Sequence, residues 1–410
     1  MPTEPMEIPE QEPASGTQEE TLAVSRRELC HELLLRLAAT APGPLLVQAR
    51  DWLAKGRERE MARAVAFAAV HQRIALTYDD VALLAELLEE AGVNPVILAQ
   101  AERSEYETFP PYLFEARRGE RFPRDEDEPE VQDEMEADAA AIAWAERTEG
   151  VTGMWRAWRI PADGAPWPPS RRVYVAEMSA DPAHDLPAAA SALQNSLLGA
   201  GETEPSAEVY RLGRDVPLYQ RLARGHGELI HTADDAAVRV AATFDDVDST
   251  TGPRYRDDHP RVEDIDERAR LVAYLRTAEP LMITTARLDD VVDRSRKAAV
   301  PMSFRTDGHW VWTEALAYYL AEYGLAPEDD LVAHIRAHDY VPPTPDGPRM
   351  HRALKELTEP SEPGTSIWTF DMLEEGPGEP DESAGADEPA APGIIDLDLE
   401  GAIEVENAER

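Results

Sequence analysis

Apolar residues recur at helical spacing through the first hundred residues of the chain. Residues 25–40 carry leucines at 29, 33, 34 and 37, and Ser25 with Glu28 forms a capping-box pattern at the start. Thr77 with Asp80 predicts a second capped helix, which Gly92 ends. Short connections between such helices favour antiparallel neighbours. We therefore expect a small helical bundle at residues 22–103.

Beyond residue 131 the pattern alternates between strand-like and helix-like segments. Strands are predicted at 154–160, 172–178, 207–212, 228–231, 237–244 and 281–285, and helices at 131–147, 186–198, 216–224 and 264–276. Alternation of this kind indicates a mixed domain, α+β or α/β, over residues 131–356. The sequence does not decide between these two classes.

The sharpest local prediction is a hairpin followed by a helix at residues 300–322. Asp307-Gly308 between two apolar runs is a hairpin signal. Period-two alternation then puts Trp310 and Trp312 on one face and Val311 on the other. Thr313 is expected to begin a helix that Gly324 ends, and a further helix follows at 328–337.

Acidic residues are concentrated in three segments. Residues 1–20 carry six glutamates and no base, residues 125–138 carry nine acids and no base, and residues 359–410 carry sixteen acids and one arginine. These segments hold 30 of the 41 net negative charges. We therefore expect a disordered leader at 1–21, a Pro- and acid-rich linker at 104–130 and a disordered tail at 357–410.

The composition excludes several classes of function. An acidic surface disfavours nucleic-acid binding and attraction to anionic membranes, but it suits a protein partner with a basic surface. No apolar run reaches the roughly 18 residues of a membrane span, and residues 1–20 have no basic flank or apolar core of the kind a signal peptide carries, so we expect neither membrane insertion nor secretion. The single cysteine, Cys30, rules out an internal disulfide and sits in an apolar helix face. We expect a cytoplasmic protein.

Two apolar islands interrupt the acidic tail. Ile367, Trp368 and Phe370 form the first. The second alternates apolar and acidic side chains, as a strand added to a sheet edge does, with Ile394, Ile395, Leu397 and Leu399 as its apolar positions. One interpretation is that these are recognition segments for a partner, and the other is that they are incidental in a disordered tail.

Catalytic chemistry is represented by aspartate clusters alone. GxSxG, Walker-A and GxGxxG motifs are all missing from the chain. Asp245, Asp246 and Asp248 follow a predicted strand and precede Asp257, Asp258 and His259, so they are candidate ligands of Mg²⁺ in a hydrolase. Asp289, Asp290 and Asp293 form a second, weaker cluster. A solvated loop is the alternative interpretation of both clusters, and the local sequence favours it over a metal site.

Histidine and aromatic residues give two further candidates. His334 and His338 lie four apart on a predicted helix, but no third ligand accompanies them, so we expect solvated histidines, no metal site and no cofactor. Arg305, His309, Trp310 and Trp312 suit either a stacking pocket or a closed core, and the core is favoured.

Two runs carry a family resemblance. MITTARLDDVV with VPMSFRTDGHWVWTEALAYYLAEYGLAPEDDLVAHI, and ELLLRLAATAPGPLLVQARDWLAKG, resemble uncharacterised actinobacterial proteins, and the resemblance implies no activity. The preferred hypothesis is a non-enzymatic interaction protein, such as an adaptor, an immunity-like or a chaperone-like factor. It would bind a protein partner through its acidic segments, which we also call the acidic arms, and through the apolar islands of the tail. The alternative is a metal-dependent hydrolase acting on a small phosphorylated or nucleotide substrate through the aspartate clusters.

Overall fold

A computed structural model describes residues 25–107, 109–117, 132–162, 165, 167–248 and 252–358. Helices and mixed sheets alternate along this part of the chain, which confirms the prediction of a mixed α+β protein. The predicted leader, most of the acid run at 125–138 and nearly all of the predicted tail lie outside the described residues.

The N-terminal part is helical, as the apolar pattern predicted. Its elements are α1 (Arg26–Leu37), α2 (Gly43–Ala54), α3 (Glu58–His71), α4 (Tyr78–Glu90) and a 3₁₀ helix (Pro95–Gln100). Ser25 caps α1 by accepting a hydrogen bond from the amide of Glu28. At α4 the predicted capping box is complete, because Thr77 and Asp80 each accept a hydrogen bond from the other's amide.

A five-stranded sheet follows, with helices interspersed among its strands. Its elements are β1 (Tyr112–Glu115), α5 (Gln132–Arg147), β2 (Val151–Pro161), β3 (Arg171–Met178), α6 (Leu186–Gly199), β4 (Ser206–Arg211), α7 (Leu218–His226) and β5 (Glu228–Thr232). The strand order is β1-β2-β3-β4, and β5 pairs with the other end of β2. β3 and β4 run parallel, joined through α6, whereas the other pairs are antiparallel. β1 lies within the segment that the sequence had assigned to a linker.

Both faces of this sheet are buried. Tyr174 and Ala176 of β3 pack with α5 and α6. Val173 and Val175 point the other way, into a core shared with α1–α4 and α7. Burial on both faces explains why residues 173–178 of β3 are all buried. The N-terminal helices and the first sheet therefore share one hydrophobic core.

The C-terminal part contains a second, four-stranded sheet. Its elements, with two short strand pairs, are β6 (Arg239–Val240), β7 (Asp246–Asp248), β8 (Gly252–Arg254), α8 (Ile265–Thr277), β9 (Glu279–Met282), β10 (Arg287–Leu288), β11 (Val300–Pro301), β12 (Phe304–Thr306), β13 (Trp310–Thr313), α9 (Glu314–Tyr323), α10 (Asp329–Ala337) and α11 (Gly347–Thr358). The strand order is β6-β13-β12-β9. Regular pairing at β6 and β9 is shorter than the strands predicted at 237–244 and 281–285.

The hairpin β12–β13 forms as predicted. Gly308 takes a positive φ of 86° at its turn. Trp310 and Trp312 face a core with α8, α9 and α10, while Val311 packs on the opposite side with α11. Gly324 ends α9 in the left-handed conformation. Thr313 begins α9, but its hydroxyl contacts that of Thr243 instead of capping the helix.

Helix α11 connects the two sheets. It contacts β2 and β5 of the first sheet and β6, β9 and β13 of the second. Within the described residues, no helix is both long enough and apolar enough to cross a membrane.

Candidate functional site

A buried carboxylate at the turn of the β12–β13 hairpin organises a cluster of polar side chains. Asp307 is fully buried. Its Oδ1 accepts hydrogen bonds from the backbone amides of His309 and Trp310, each at 2.8 Å. Its Oδ2 accepts one from the Tyr274 hydroxyl at 2.6 Å and lies 2.8 Å from Nε2 of His334. The turn, α8 and α10 thus meet at one carboxyl group.

Three imidazoles lie side by side next to this carboxylate. The ring centroids of His309 and His334 are 5.4 Å apart, and those of His334 and His338 are 4.2 Å apart. The His334 side chain is only 16% exposed. Burial lowers the pKa of His334 below its usual value, against the opposing effect of Asp307. Nδ1 of His309 is buried and has no hydrogen-bond partner.

The cluster has the composition of a metal centre. One donor atom from each of Asp307, His309 and His334 lies within 4.8 Å of the others. Two imidazoles and one carboxylate suit Zn²⁺ and related divalent ions. The expectation of solvated histidines was wrong for His334, because α10 packs its side chain against the hairpin turn. The signal in the sequence was the spacing of Asp307 and His309, two residues apart at a predicted turn. Asp307 was interpreted only as a turn residue, and His309 only as a member of an aromatic pocket.

The structure brings together Asp245 and His259 of the predicted hydrolase cluster, but as a closed pair. His259 Nδ1 lies 3.0 Å from Oδ2 of Asp245, and its Nε2 donates a hydrogen bond to the carbonyl of Ala326 at 3.0 Å. Asp245 also accepts a hydrogen bond from the amide of Arg256 at 2.7 Å. Both nitrogens of the imidazole are engaged, so this pair holds the loop 255–259 against the body.

The other aspartates of that cluster point elsewhere. Asp246 forms an ion pair with Arg254 across the β7–β8 pair. The Asp258 side chain is 87% exposed and lies 3.8 Å from the guanidinium of Arg256. Asp257 is also exposed, and the side chain of Asp248 lies outside the described residues. Those carboxylates of the cluster that the structure describes therefore do not converge on a common cation position.

The second aspartate cluster divides between a buried and an exposed residue. Asp290 is fully buried and accepts hydrogen bonds from the hydroxyls of Tyr318 and Tyr323 and from the amides of Val292 and Asp293. These donors lower its pKa although burial opposes them. The neighbouring Asp289 is exposed and pairs with Lys297 at 2.8 Å. The geometry is that of a structural acceptor that orders the loop after β10.

The aromatic-pocket candidates lie mostly in the core. Trp310 is 3% exposed and Trp312 is fully buried, with its indole N–H donating to the carbonyl of Leu275 at 3.0 Å. Arg305 forms an ion pair with Glu314 at 2.7 Å. These contacts favour the core interpretation over an open stacking face. His309 is the member of the set that belongs to the Asp307 cluster.

Another buried polar network lies where α11 meets the first sheet. Glu177 accepts hydrogen bonds from the hydroxyls of Thr152 and Tyr210 and from the amide of Gly347. Burial raises its pKa, and the three hydrogen bonds oppose this. The Trp155 indole donates to Nδ1 of His351 at 3.3 Å. These contacts attach the start of α11 to the first sheet.

Exposed aromatic side chains flank one end of the first sheet. Phe109 precedes β1 and is 71% exposed, and Trp167 follows β2 and is 78% exposed. Tyr112 of β1 pairs with Pro161 of β2, so both segments leave the same end of the sheet. We call Phe109 and Trp167 the aromatic end. Exposed aromatic residues are typical of protein contact sites.

The predicted partner-binding residues of the tail, from Ile367 to Leu399, lie outside the described residues. Cys30 is buried, and burial raises its pKa to about 12, in agreement with a structural role.

No protein-family model, curated protein or solved structure matches this chain.

Proposed function

We propose that this protein is a non-enzymatic interaction protein that binds a partner with a basic surface through its acidic segments. The observation that carries the proposal is the segregation of charge, because three segments hold 30 of the 41 net negative charges. Charge concentrated in this way accelerates association with a partner of opposite sign. Adaptor, immunity-like and chaperone-like roles are all compatible with it.

The aromatic end supports the same proposal from the described part of the chain. Phe109 and Trp167 expose large apolar surfaces that no contact with the described residues buries. Tryptophan and other aromatics dominate the binding energy of many interfaces because they bury large areas with few rotatable bonds. The proposal is that the acidic arms attract the partner and that an apolar contact of this kind retains it.

The hydrolase alternative gains no comparable support. Asp245 and His259 are engaged with each other, and Asp246 is engaged with Arg254. A Mg²⁺ site built on these aspartates needs carboxylates that converge on one ion and an open position for water, and those of its side chains that the structure describes do not provide that arrangement.

The test is quantitative capture from a lysate of the source organism at increasing salt. The full chain is compared with a chain in which every Asp and Glu of residues 359–410 is changed to Asn and Gln, which keeps length and apolar islands. We expect the full chain to retain a specific protein whose recovery falls steeply with salt, and the neutral chain to lose it. Equal recovery with both chains would contradict the role of the arms.

A second comparison addresses the aromatic end. Phe109→Ser and Trp167→Ser are expected to weaken retention of the captured protein at least tenfold, as interface aromatic residues do. Ile265→Ser is the matched control, because Ile265 is 69% exposed at the start of α8. A loss of the same size in the control would show that any exposed apolar side chain serves equally.

A further inference from the structure

We propose that Asp307, His309 and His334 bind a divalent transition-metal ion, with Zn²⁺ as the reference ion. The inference is independent of the interaction role, because it rests on the hairpin turn and α10 and uses none of the acidic segments.

The donor atoms lie close to the positions that a metal requires. Oδ2 of Asp307 and Nε2 of His334 are 2.8 Å apart, and the three donor atoms together span at most 4.8 Å. Zinc–ligand bonds of about 2.0–2.1 Å put tetrahedral ligand atoms roughly 3.3–3.4 Å from one another. The donor atoms therefore lie within about 1.5 Å of the spacing that a tetrahedral ion requires.

The unpartnered atom of His309 is the second observation. Its Nδ1 is buried without a hydrogen-bond partner, although buried polar atoms normally have one. The backbone of the same residue is fixed, because its amide donates to Asp307 and its carbonyl accepts from the amide of Arg239. In its unprotonated form, Nδ1 of this positioned imidazole, next to a carboxylate and a second imidazole, would be satisfied by a metal ion.

Neighbouring groups supply the support that metal ligands need. The Tyr274 hydroxyl donates to Oδ2 of Asp307 at 2.6 Å, and two backbone amides hold Oδ1. Hydrogen bonds of this kind orient a ligating carboxylate and are a regular part of metal centres. His338 packs against His334 and donates from Nδ1 to the carbonyl of His334 at 2.9 Å, so it steadies the ring from the side.

Three protein ligands leave one position of a tetrahedral ion for water or another group. The buried carboxylate carries one negative charge, which neutralises one of the two positive charges of the ion. Both imidazoles bind as neutral ligands. A first-row divalent ion that favours nitrogen is therefore expected over Mg²⁺ or Ca²⁺, which favour oxygen.

The test uses the full chain, stripped with a chelator and titrated with Zn²⁺ in excess Mg²⁺, which occupies the loose carboxylates of the acidic segments. We expect one zinc ion per chain by calorimetry and by elemental analysis. Co²⁺ in the same site should give the visible absorption bands of a low-coordinate N/O site. Failure of the wild-type chain to bind zinc would overturn the proposal and leave a hydrogen-bonded cluster only.

Two variants assign the site to these residues. His309→Ala removes an imidazole whose Nδ1 has no partner, so the metal-free chain should keep its melting temperature while zinc binding weakens at least tenfold. His334→Gln keeps a donor for Asp307 and should abolish stoichiometric binding. His71→Gln, at an exposed histidine of α3, is the control and should bind as the wild type does. Unchanged binding in both ligand variants would refute the assignment.

Discussion

The imidazole Nε2 of His31 lies 2.7 Å from the carbonyl oxygen of Val209, an atom on the outer strand of the first sheet. Since the carbonyl can only accept, Nε2 carries the proton and donates. Nδ1 of the same ring is buried without a partner. Helix α1 thus covers the outer edge of β4 with a neutral histidine, which protects that sheet edge from pairing with other chains.

This contact makes the stability of the fold depend on pH. Burial lowers the pKa of His31 to about 4, and burial also lowers that of His351 to about 4. The unfolded chain protonates these histidines near pH 6.5, so it binds more protons than the folded chain between about pH 6.5 and 4. Stability is fully present above pH 6.5 and is lost as the pH falls through that window. The expected loss is on the order of 3 kcal/mol per histidine.

Chemical denaturation of the wild type and of His31→Gln at several pH values checks this prediction. The glutamine keeps a donor for the carbonyl of Val209 but does not titrate, so the fall in stability between pH 6.5 and 4 should be smaller than in the wild type by about 3 kcal/mol. His71→Gln should leave the profile unchanged, because His71 is exposed. A wild-type profile that is flat over this range would contradict the argument.

A buried ion pair joins the N-terminal helices to the same edge strand. Arg50 of α2 lies 2.6 Å from Glu208 of β4, and their side chains are 2% and 0% exposed. Ser206 and Gln220 also donate to the Glu208 carboxylate. Breaking such a pair leaves a buried charge without its partner, so Glu208→Leu or Arg50→Met alone should each cost about 3–5 kcal/mol.

The double variant tests whether the cost comes from the charge that remains. With both charges removed, the chain should lose less stability than with either single change, because neither variant side chain requires solvation. Unfolding free energies of the four chains complete the cycle. Strictly additive losses would show that Arg50 and Glu208 act independently.

The sequence predicted the elements well where one local rule decides them. The α4 capping box, Gly324 at the end of α9 and the opposite faces of Trp312 and Val311 all follow from spacing of a few residues. The contacts that define the candidate site do not follow from such local spacing. Asp307 and His334 are 27 positions apart, and only the packing of α10 on the hairpin brings them together.

Long-range burial also explains the other differences. Nothing local distinguishes Asp290 from Asp289, yet one is fully buried and the other exposed. In the same way, β1 was assigned to a linker because prolines and acids surround it, whereas pairing with β2 decides its structure. Sequence patterns indicate which secondary structure a segment prefers, but not which other part of the chain will pack against it and bury it.

The two adjacent aspartates give a matched pair of variants. Asp290→Asn replaces a carboxylate oxygen that accepts from two tyrosine hydroxyls with an amide group, so the stability should fall by about 1–3 kcal/mol. Asp289→Asn changes only an exposed contact with Lys297 and should have little effect. Thermal unfolding of both variants checks the difference, and similar losses in the two would argue against a structural role for Asp290.

The attachment of α11 to the first sheet depends on two glycines at which the neighbouring atoms leave no room for a side chain. A Cβ on Gly347 would lie 2.6 Å from Oε2 of Glu177 and 2.9 Å from the Trp155 ring, and one on Gly153 would lie 2.2 Å from Pro348. Gly347→Ala and Gly153→Ala should therefore displace the start of α11 and disturb the Glu177 network. We expect lower melting temperatures and faster proteolytic cleavage between residues 341 and 358.

Gly199 provides the control for these variants. It ends α6, and a Cβ there would meet no atom within 4 Å. Gly199→Ala should therefore be neutral or stabilising by up to about 1 kcal/mol, because alanine is the better helix former. If Gly347→Ala and Gly153→Ala unfold and are cleaved like Gly199→Ala, then α11 is not attached through these contacts.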